Sequence, residues 1–332
     1  MDDKEPSPMQ PIHSSDDLIA RAIAIAKKDR PKTIAVAAAQ DADVIGAVAQ
    51  AQSDGFLKGV LSGDAAEISR LADEHQIDIS QLEVIDEPIV AKAAHAAVAL
   101  ASQGKADGVM KGFLPTSALL KVVLDKQYGL RGENALSHCA VLDIPGYHKL
   151  LNFTDGGMVI KPSSEQKMQI LENALTVARA LGLKPVKVAV SAASDHVSPH
   201  MPHTIADVDN ILPQVRTRHP DVIIQGPLPL ELATSKTVAE RSHSSGEVLG
   251  DADVFLVDSI EEGNIVAKSL IQFANAVFAG VIVGARVPVS LVSRTDTIKN
   301  KKASLALSCV IADYYEKHDV WDDQALRKGS SE

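Results

Sequence analysis

Aromatic residues make up only 3% of the 332-residue chain: one tryptophan, four tyrosines and six phenylalanines. That scarcity argues against the stacking platforms that bind single-stranded nucleic acid or sugars. Cysteine is scarcer still, at Cys139 and Cys309. Two thiols build no disulfide framework, and neither sits in a CxxC or HExxH arrangement that would announce zinc. No apolar run reaches the roughly 18–20 residues of a membrane span. The polar, acidic start, MDDKEPSPMQPIHSSDD, lacks the basic opening and apolar run of a signal peptide. The expected location is the cytoplasm, with neither membrane nor nucleic acid as partner. Basic charge is also in deficit, 33 Lys and Arg against 43 Asp and Glu, for a formal charge of −10. Any site for an anion must therefore be a local cluster. The usual nucleotide signatures are missing as well: no GxGxxG follows the first strand, and no GxxxxGK[ST] occurs.

What is present is a large hydrophobic fraction, 45%, in a chain long enough for two domains. Residues 1–13 read as a flexible lead. Apolar spacing then predicts helices over 16–28, 41–52, 65–76, 91–103, 163–182, 263–278 and 301–317, the last amphipathic. Short apolar runs predict strands over 33–39, 55–63, 82–87, 106–112, 186–193, 221–226 and 252–259, with 280–285 and 287–293 apolar and β-branched. Strands alternating with helices of about a dozen residues read as an α/β fold on a parallel sheet. Ligands in such folds bind beyond the carboxyl ends of the strands, so residues just after strands carry the information.

Six places qualify, each with a plain reading beside the functional one. Lys111-Gly112, with Thr116 opening a helix, offers an ammonium and free helix N–H groups to an anion, or is a simple connection. Arg131, behind Gly129, suits phosphate recognition or is solvated. Thr154-Asp155, before two glycines, allows close backbone approach to a ligand or forms a tight turn. Gly226-Pro227 ends a strand, with Glu231 following. Gly263-Asn264 precedes a helix or simply caps it. The sharpest is VSRTDTIKNKK, where Ser293, Arg294 and Asp296 close an apolar strand and Lys299, Lys301 and Lys302 crowd a helix start that is already positive. A bound anion would relieve that crowding; a solvated helix face is the alternative. His138 and Cys139 are neighbours in a strand, so their side chains face opposite ways and both are assigned to packing. His196, His200 and His203 lie in a proline-punctuated loop without the partners of a metal set.

In order, MKGFLPTSALL, GLRGENALSHCAVLDIPGYHKLLNFTD, MPHT, QGPLPLELA, GDADVFLVDSIEEGNIVAKSL and GARVPVSLVSRTD resemble the phosphate acetyl/butyryltransferase family, most of all its butyryl branch. The likeness runs from about Lys111 to about Ser308; the first hundred residues match only in style. The resemblance implies two α/β/α domains around a cleft, similar to isocitrate and isopropylmalate dehydrogenases. Residues 1–146 and 282–332 would form the first, and 147–281 an inserted second. It implies a homodimer that moves a short acyl group between coenzyme A and inorganic phosphate, with coenzyme A as substrate and no permanently bound cofactor or metal. On that resemblance Ser293 steadies the tetrahedral transition state, Arg294 holds the phosphoryl group and Arg131 contacts a substrate phosphate. Asp296 is the candidate base, with Glu231 and Asp155 as rivals. Departures fall at Val159, Gln225 and Glu231, and Asp195 stands for the acid usual after SAV. They leave open a change of acyl preference or a protein that binds coenzyme A or an acyl phosphate with little turnover. A metal- and NAD-dependent dehydrogenase of similar architecture would need an aspartate cluster that the sequence does not show.

Overall fold

The computed structural model describes residues 10–318 and 320. Eleven strands lie in one sheet: β1 (Lys32–Ala37), β2 (Leu57–Gly63), β3 (Glu83–Asp86), β4 (Gly108–Lys111), β5 (Ser137–Asp143), β6 (Leu151–Thr154), β7 (Val186–Ser191), β8 (Val222–Leu228), β9 (Val254–Leu256), β10 (Val277–Val283) and β11 (Val289–Ser290). The helices are α1 (Ser15–Lys28), α2 (Ala42–Ser53), α3 (Ala65–Glu74), α4 (Val90–Ser102), α5 (Thr116–Val123), α6 (Ser164–Ala180), α7 (Pro202–Arg218), α8 (Leu230–Thr234), α9 (Lys236–Arg241), α10 (Ile260–Ala274) and α11 (Ile298–Lys317). The strand order is β3-β2-β1-β4-β11-β10-β5-β6-β9-β7-β8.

The fold is α/β, but the sheet is mixed rather than wholly parallel. Strands β3, β2, β1, β4 and β11 form one parallel block, and β6, β9, β7 and β8 another. Between them β10 runs antiparallel to both β11 and β5, and β5 antiparallel to β6. Strand direction depends on how each crossover is routed, which apolar runs alone do not encode.

Alternation along β1 sends Ile34 and Val36 into one core and Ala35 and Ala37 into the other. Helices α1, α2 and α11 cover the first face; α4 and α5 cover the second. Caps fix several helix starts: Ser14 and Asp17 form a capping box on α1, Ser163 and Gln166 another on α6, and Asp41 and Asp64 cap α2 and α3.

Several expectations need correction. Of the presumed flexible lead, residues 1–9 lie outside the described residues. Ile12, however, is buried, and its N–H donates to the Leu181 carbonyl at 3.0 Å. The histidine loop is in part a helix, since α7 starts at Pro202, where a proline needs no N–H partner. Helix α10 begins three residues early, capped by Ser259, and ends at Ala274, releasing Val277 into β10. Helix α11 is buried over most of its circumference instead of being amphipathic. Its small residues allow this: Ser304 Oγ accepts the Gly280 N–H at 2.9 Å and Asn300 Oδ1 accepts that of Phe278 at 3.1 Å.

Candidate active site

A cleft of about 530 Å³ opens where β4, β6 and β11 end. Its walls include Lys111, Thr116, Gly263, Asn264, Ser293 and Arg294. Four of the six places singled out in the sequence thus contribute to one geometry or border it. The cleft also takes in His138, Lys268 and Phe278.

At one wall, α5 starts at Thr116 with Pro115 before it and no side chain capping its free N–H groups. Lys111 is buried beside that helix start, and its ammonium reaches the Gly112 and Leu114 carbonyls at 3.2 and 3.4 Å. Burial, with Arg294 nearby, pushes the Lys111 ammonium below the usual lysine range. The Arg294 guanidinium lies over the Phe113 ring at 4.5 Å from its centroid, a cation–π contact that steadies a side chain without neutralising it. Gly112 serves differently from the expectation: its N–H is already taken by the Ala37 carbonyl, and a Cβ there would fall 2.1 Å from the Ala38 carbonyl oxygen.

The loop carrying Ser293 and Arg294 is held from within. Asp296 is buried, and its carboxylate accepts the Ser293 N–H at 2.5 Å, with Lys268 4.0 Å away. Thr297, not Asp296, caps α11. The Lys301 ammonium lies under the loop, donating to the Asp296 carbonyl at 2.5 Å, with Asp43 of α2 at 3.7 Å. Lys302 pairs with Asp54. The basic helix start is therefore met by acids at the two ends of α2 and by loop carbonyls, the acids distant in sequence.

The opposite wall is built from close backbone approach. A Cβ on Gly156 would come 2.7 Å from Gly263 C, and one on Gly157 would come 2.9 Å from the His138 ring. The glycines admit protein here, where the sequence suggested ligand. Thr154 is fully buried and gives its hydroxyl proton to the His138 carbonyl at 3.0 Å. Asp155, 2% exposed, accepts N–H groups from Gly157, Met158, Val159 and His138. Burial nevertheless pushes its carboxyl above the usual range. With all those donors on it, Asp155 organises the loop after β6.

Four expected residues lie elsewhere. Gly226 and Pro227 are in β8 at the sheet's edge, where a Gly226 Cβ would meet Val190, and Glu231 is exposed on α8. Arg131 is exposed and bridges its backbone to Ala285. None of them lines the cleft. The departures at Gln225 and Glu231 are likewise remote from it.

His138, assigned to packing from the sequence, also borders the cleft. Its ring is 7% exposed, stands 6.0 Å from the Phe278 ring, and leaves Nδ1 buried without a hydrogen-bond partner. Burial, aided by the positive Lys268, lowers the imidazole from 6.5 to about 4. The LSH string was a signal that could have found it. Cys139 itself is buried, its thiol pushed up to about 12 by burial.

The arrangement offers a hydroxyl, a guanidinium, an ammonium and free helix N–H groups beside a neutral imidazole. Residues 86–309 match the model of the phosphate acetyl/butaryl transferase family. A probable phosphate butyryltransferase of Bacillus subtilis (strain 168) is 42% identical over 284 residues, covering 86% of this chain and 94% of its own. A phosphate acetyltransferase of Thermotoga maritima is 36% identical over 285 residues, covering 86% and 97%. A branched-chain phosphotransacylase from Enterococcus faecalis V583 has a structure alike at a TM-score of 0.76 and 30% identity, over 85% of this chain and 99% of that one. A 4-hydroxythreonine-4-phosphate dehydrogenase from Klebsiella pneumoniae, at 13% identity and a TM-score of 0.53, shares the fold. The chain belongs to the phosphate acetyl/butyryltransferase family.

Proposed function

We propose that the protein transfers a short acyl group between coenzyme A and inorganic phosphate, in the cleft between β4, β6 and β11. The observation that carries this reading is the charged wall: Lys111, Arg294 and the open start of α5 converge beside the Ser293 hydroxyl. An acyl phosphate needs a site for its phosphoryl oxygens and a donor for the oxygen that gains charge as the thiolate attacks. Arg294 and Lys111 suit the first task, Ser293 the second. Asp296, engaged by the Ser293 N–H, acts as the residue that sets the loop.

We read residues 10–146 with 282–318 as the unit carrying that wall, and 147–281 as the unit facing it. A second copy of the chain is the expected partner. Helix α10 supports this, because Ile265 is 64% and Phe273 84% exposed, with Ile160 beside its start at 68%. Among the described residues no helix is long and apolar enough to cross a membrane. A cytoplasmic location fits two buried, unpaired thiols. The test is to supply acetyl-, propionyl-, butyryl- and isobutyryl-CoA with phosphate and follow thiol release. Phosphate-dependent release is expected. Affinity for the esters without release would favour a binding protein.

A further inference from the structure

A phosphoryl group held by Lys111 and Arg294 leaves the floor of the cleft uncovered. That floor is apolar: Ala140, Ala267, Ile271, Phe278 and Leu291 line it beside the basic wall. Strands β5 and β10 pair Ala140 with Gly280, and the side chains of residues 278 and 280 stand on one face of β10. The position over Gly280 is filled, because a Cβ there would meet the Leu291 carbonyl oxygen at 2.2 Å and the Phe278 ring at 2.4 Å. The Phe278 ring therefore lies back along the sheet, and Ala140 keeps the sheet low next to it. Helix α10 faces this spot with Ala267 and, one turn on, Ile271.

We propose that this floor holds the acyl chain of the substrate. Ala140 and Ala267 give room for a chain of butyryl or isobutyryl size, and Ile271 is its end stop. The protein then prefers these acyl groups to acetyl. The inference rests on the functional reading above.

Three observations support it. First, the floor adjoins the reacting group. Leu291 and Ser293 both line the cleft, with one residue between them, so a carbonyl whose oxygen meets the Ser293 hydroxyl sets its chain alongside Leu291. Second, the floor suits hydrocarbon. An ion laid unpaired on such surface loses its hydration, whereas each CH2 that covers it is stabilised. The Lys268 ammonium lies over the Phe278 ring at 5.9 Å from its centroid and turns to Asp296 at 4.0 Å. Third, side-chain size steps up along α10, where Gly263, Ala267 and Ile271 follow at intervals of one turn. At Gly263 the space is taken by backbone, since a Cβ there would come 2.7 Å from Gly156 Cα. Ala267 stands past that contact and is the first position on the helix to leave room for a chain. Acetyl has a single methyl to lay on this floor. Each further carbon in an apolar pocket is worth about tenfold or more in transfer rate.

The experiment measures kcat/KM, with phosphate as acceptor, for acetyl-, propionyl-, butyryl-, isobutyryl- and hexanoyl-CoA. In the native protein the butyryl and isobutyryl esters should exceed acetyl by about 100-fold, from two further carbons at about tenfold each. Ala267→Leu fills the floor and should lower the butyryl-to-acetyl ratio by about tenfold or more. Ile271→Ala removes the stop and should raise the hexanoyl-to-butyryl ratio by about tenfold. It serves as the test if the leucine variant does not fold. A native preference for acetyl or for hexanoyl would overturn the proposal. So would variants that change every ester by the same factor, which would give the floor to the pantetheine arm that all the esters share. A native protein that transfers none of the esters to phosphate overturns the functional reading itself, whereas transfer with unchanged ratios in the variants removes only the acyl floor.

Discussion

The two walls of the cleft are made by different means. The wall at the ends of β4 and β11 carries two basic side chains, Lys111 and Arg294, anchored by carbonyls and by an aromatic ring. The facing wall, from the loop after β6 and the start of α10, presents Gly156, Gly157, Gly263 and Ala267, backed by His138 and Phe278. One wall is specified by what its side chains bring, the other by what they leave out. Charge can be read from residue type, whereas room can be read only once the partner backbone is known. The first wall therefore offers charge to whatever enters the cleft, and the second owes its shape to backbone packed on backbone.

The strongest break in that comparison is Ser293→Ala. Removing a donor to a developing oxyanion lowers kcat by about 100-fold or more, with unaltered melting, as steady-state rates would show. Turnover close to native would make Ser293 merely a loop residue. Next is the acid stability of the second wall. The His138 imidazole falls from 6.5 to about 4 on folding, so the unfolded chain binds the extra proton between those values. Its contribution is complete above pH 6.5 and is lost as pH falls toward 4, by about 3 kcal/mol. Denaturant titrations of His138→Gln should show a flatter dependence across this window.

Arg294→Lys tests the first wall. A guanidinium holds phosphate oxygens in a fork and stacks on Phe113, and an ammonium does neither. A loss of about 1.5–3 kcal/mol in transition-state stabilisation should appear in kcat/KM for phosphate. An unchanged value would remove Arg294 from the phosphate site. The smallest effect is expected from Asp155→Asn, which turns an acceptor for several N–H groups into one that offers an NH2 in the same space. Melting should report a destabilisation of about 1–3 kcal/mol, with kcat within a few-fold of native in the folded fraction. A stable but inactive variant would return Asp155 to the list of proton acceptors.

Much of the first block was legible in the sequence, because each of its strands is a short apolar run with a helix of ordinary length behind it. The approach of Lys111, Ser293 and Arg294 followed from strand ends and from the resemblance. What was not legible depended on distant partners. The basic start of α11 suggested an anion, yet Asp43 in the first turn of α2 and Asp54 just past its end supply the charge. The direction of β5 and β10 is set by crossovers. Helix α7 was hidden by its prolines: Pro202 stands in the first turn, where no N–H partner is needed, and Pro213 lies within the helix itself. His138 reads as core from the sequence, and it is buried; that it also borders the cleft depends on Gly157 and Phe278, which only the fold brings to it.

Lys301 gives the loop of Ser293 and Arg294 an unusual dependency. Its single ammonium joins the carbonyl of Asp296 to a helix, α11, that spans the body of the protein, and to Asp43 at the head of α2. Local melting of α2 would therefore release the loop before the sheet gives way. On warming, inactivation should run ahead of global unfolding, and amide exchange in residues 42–53 should rise in step with the lost activity. Durability of function in this protein then depends on the anchoring of α2 as well as on its large, well-buried sheet.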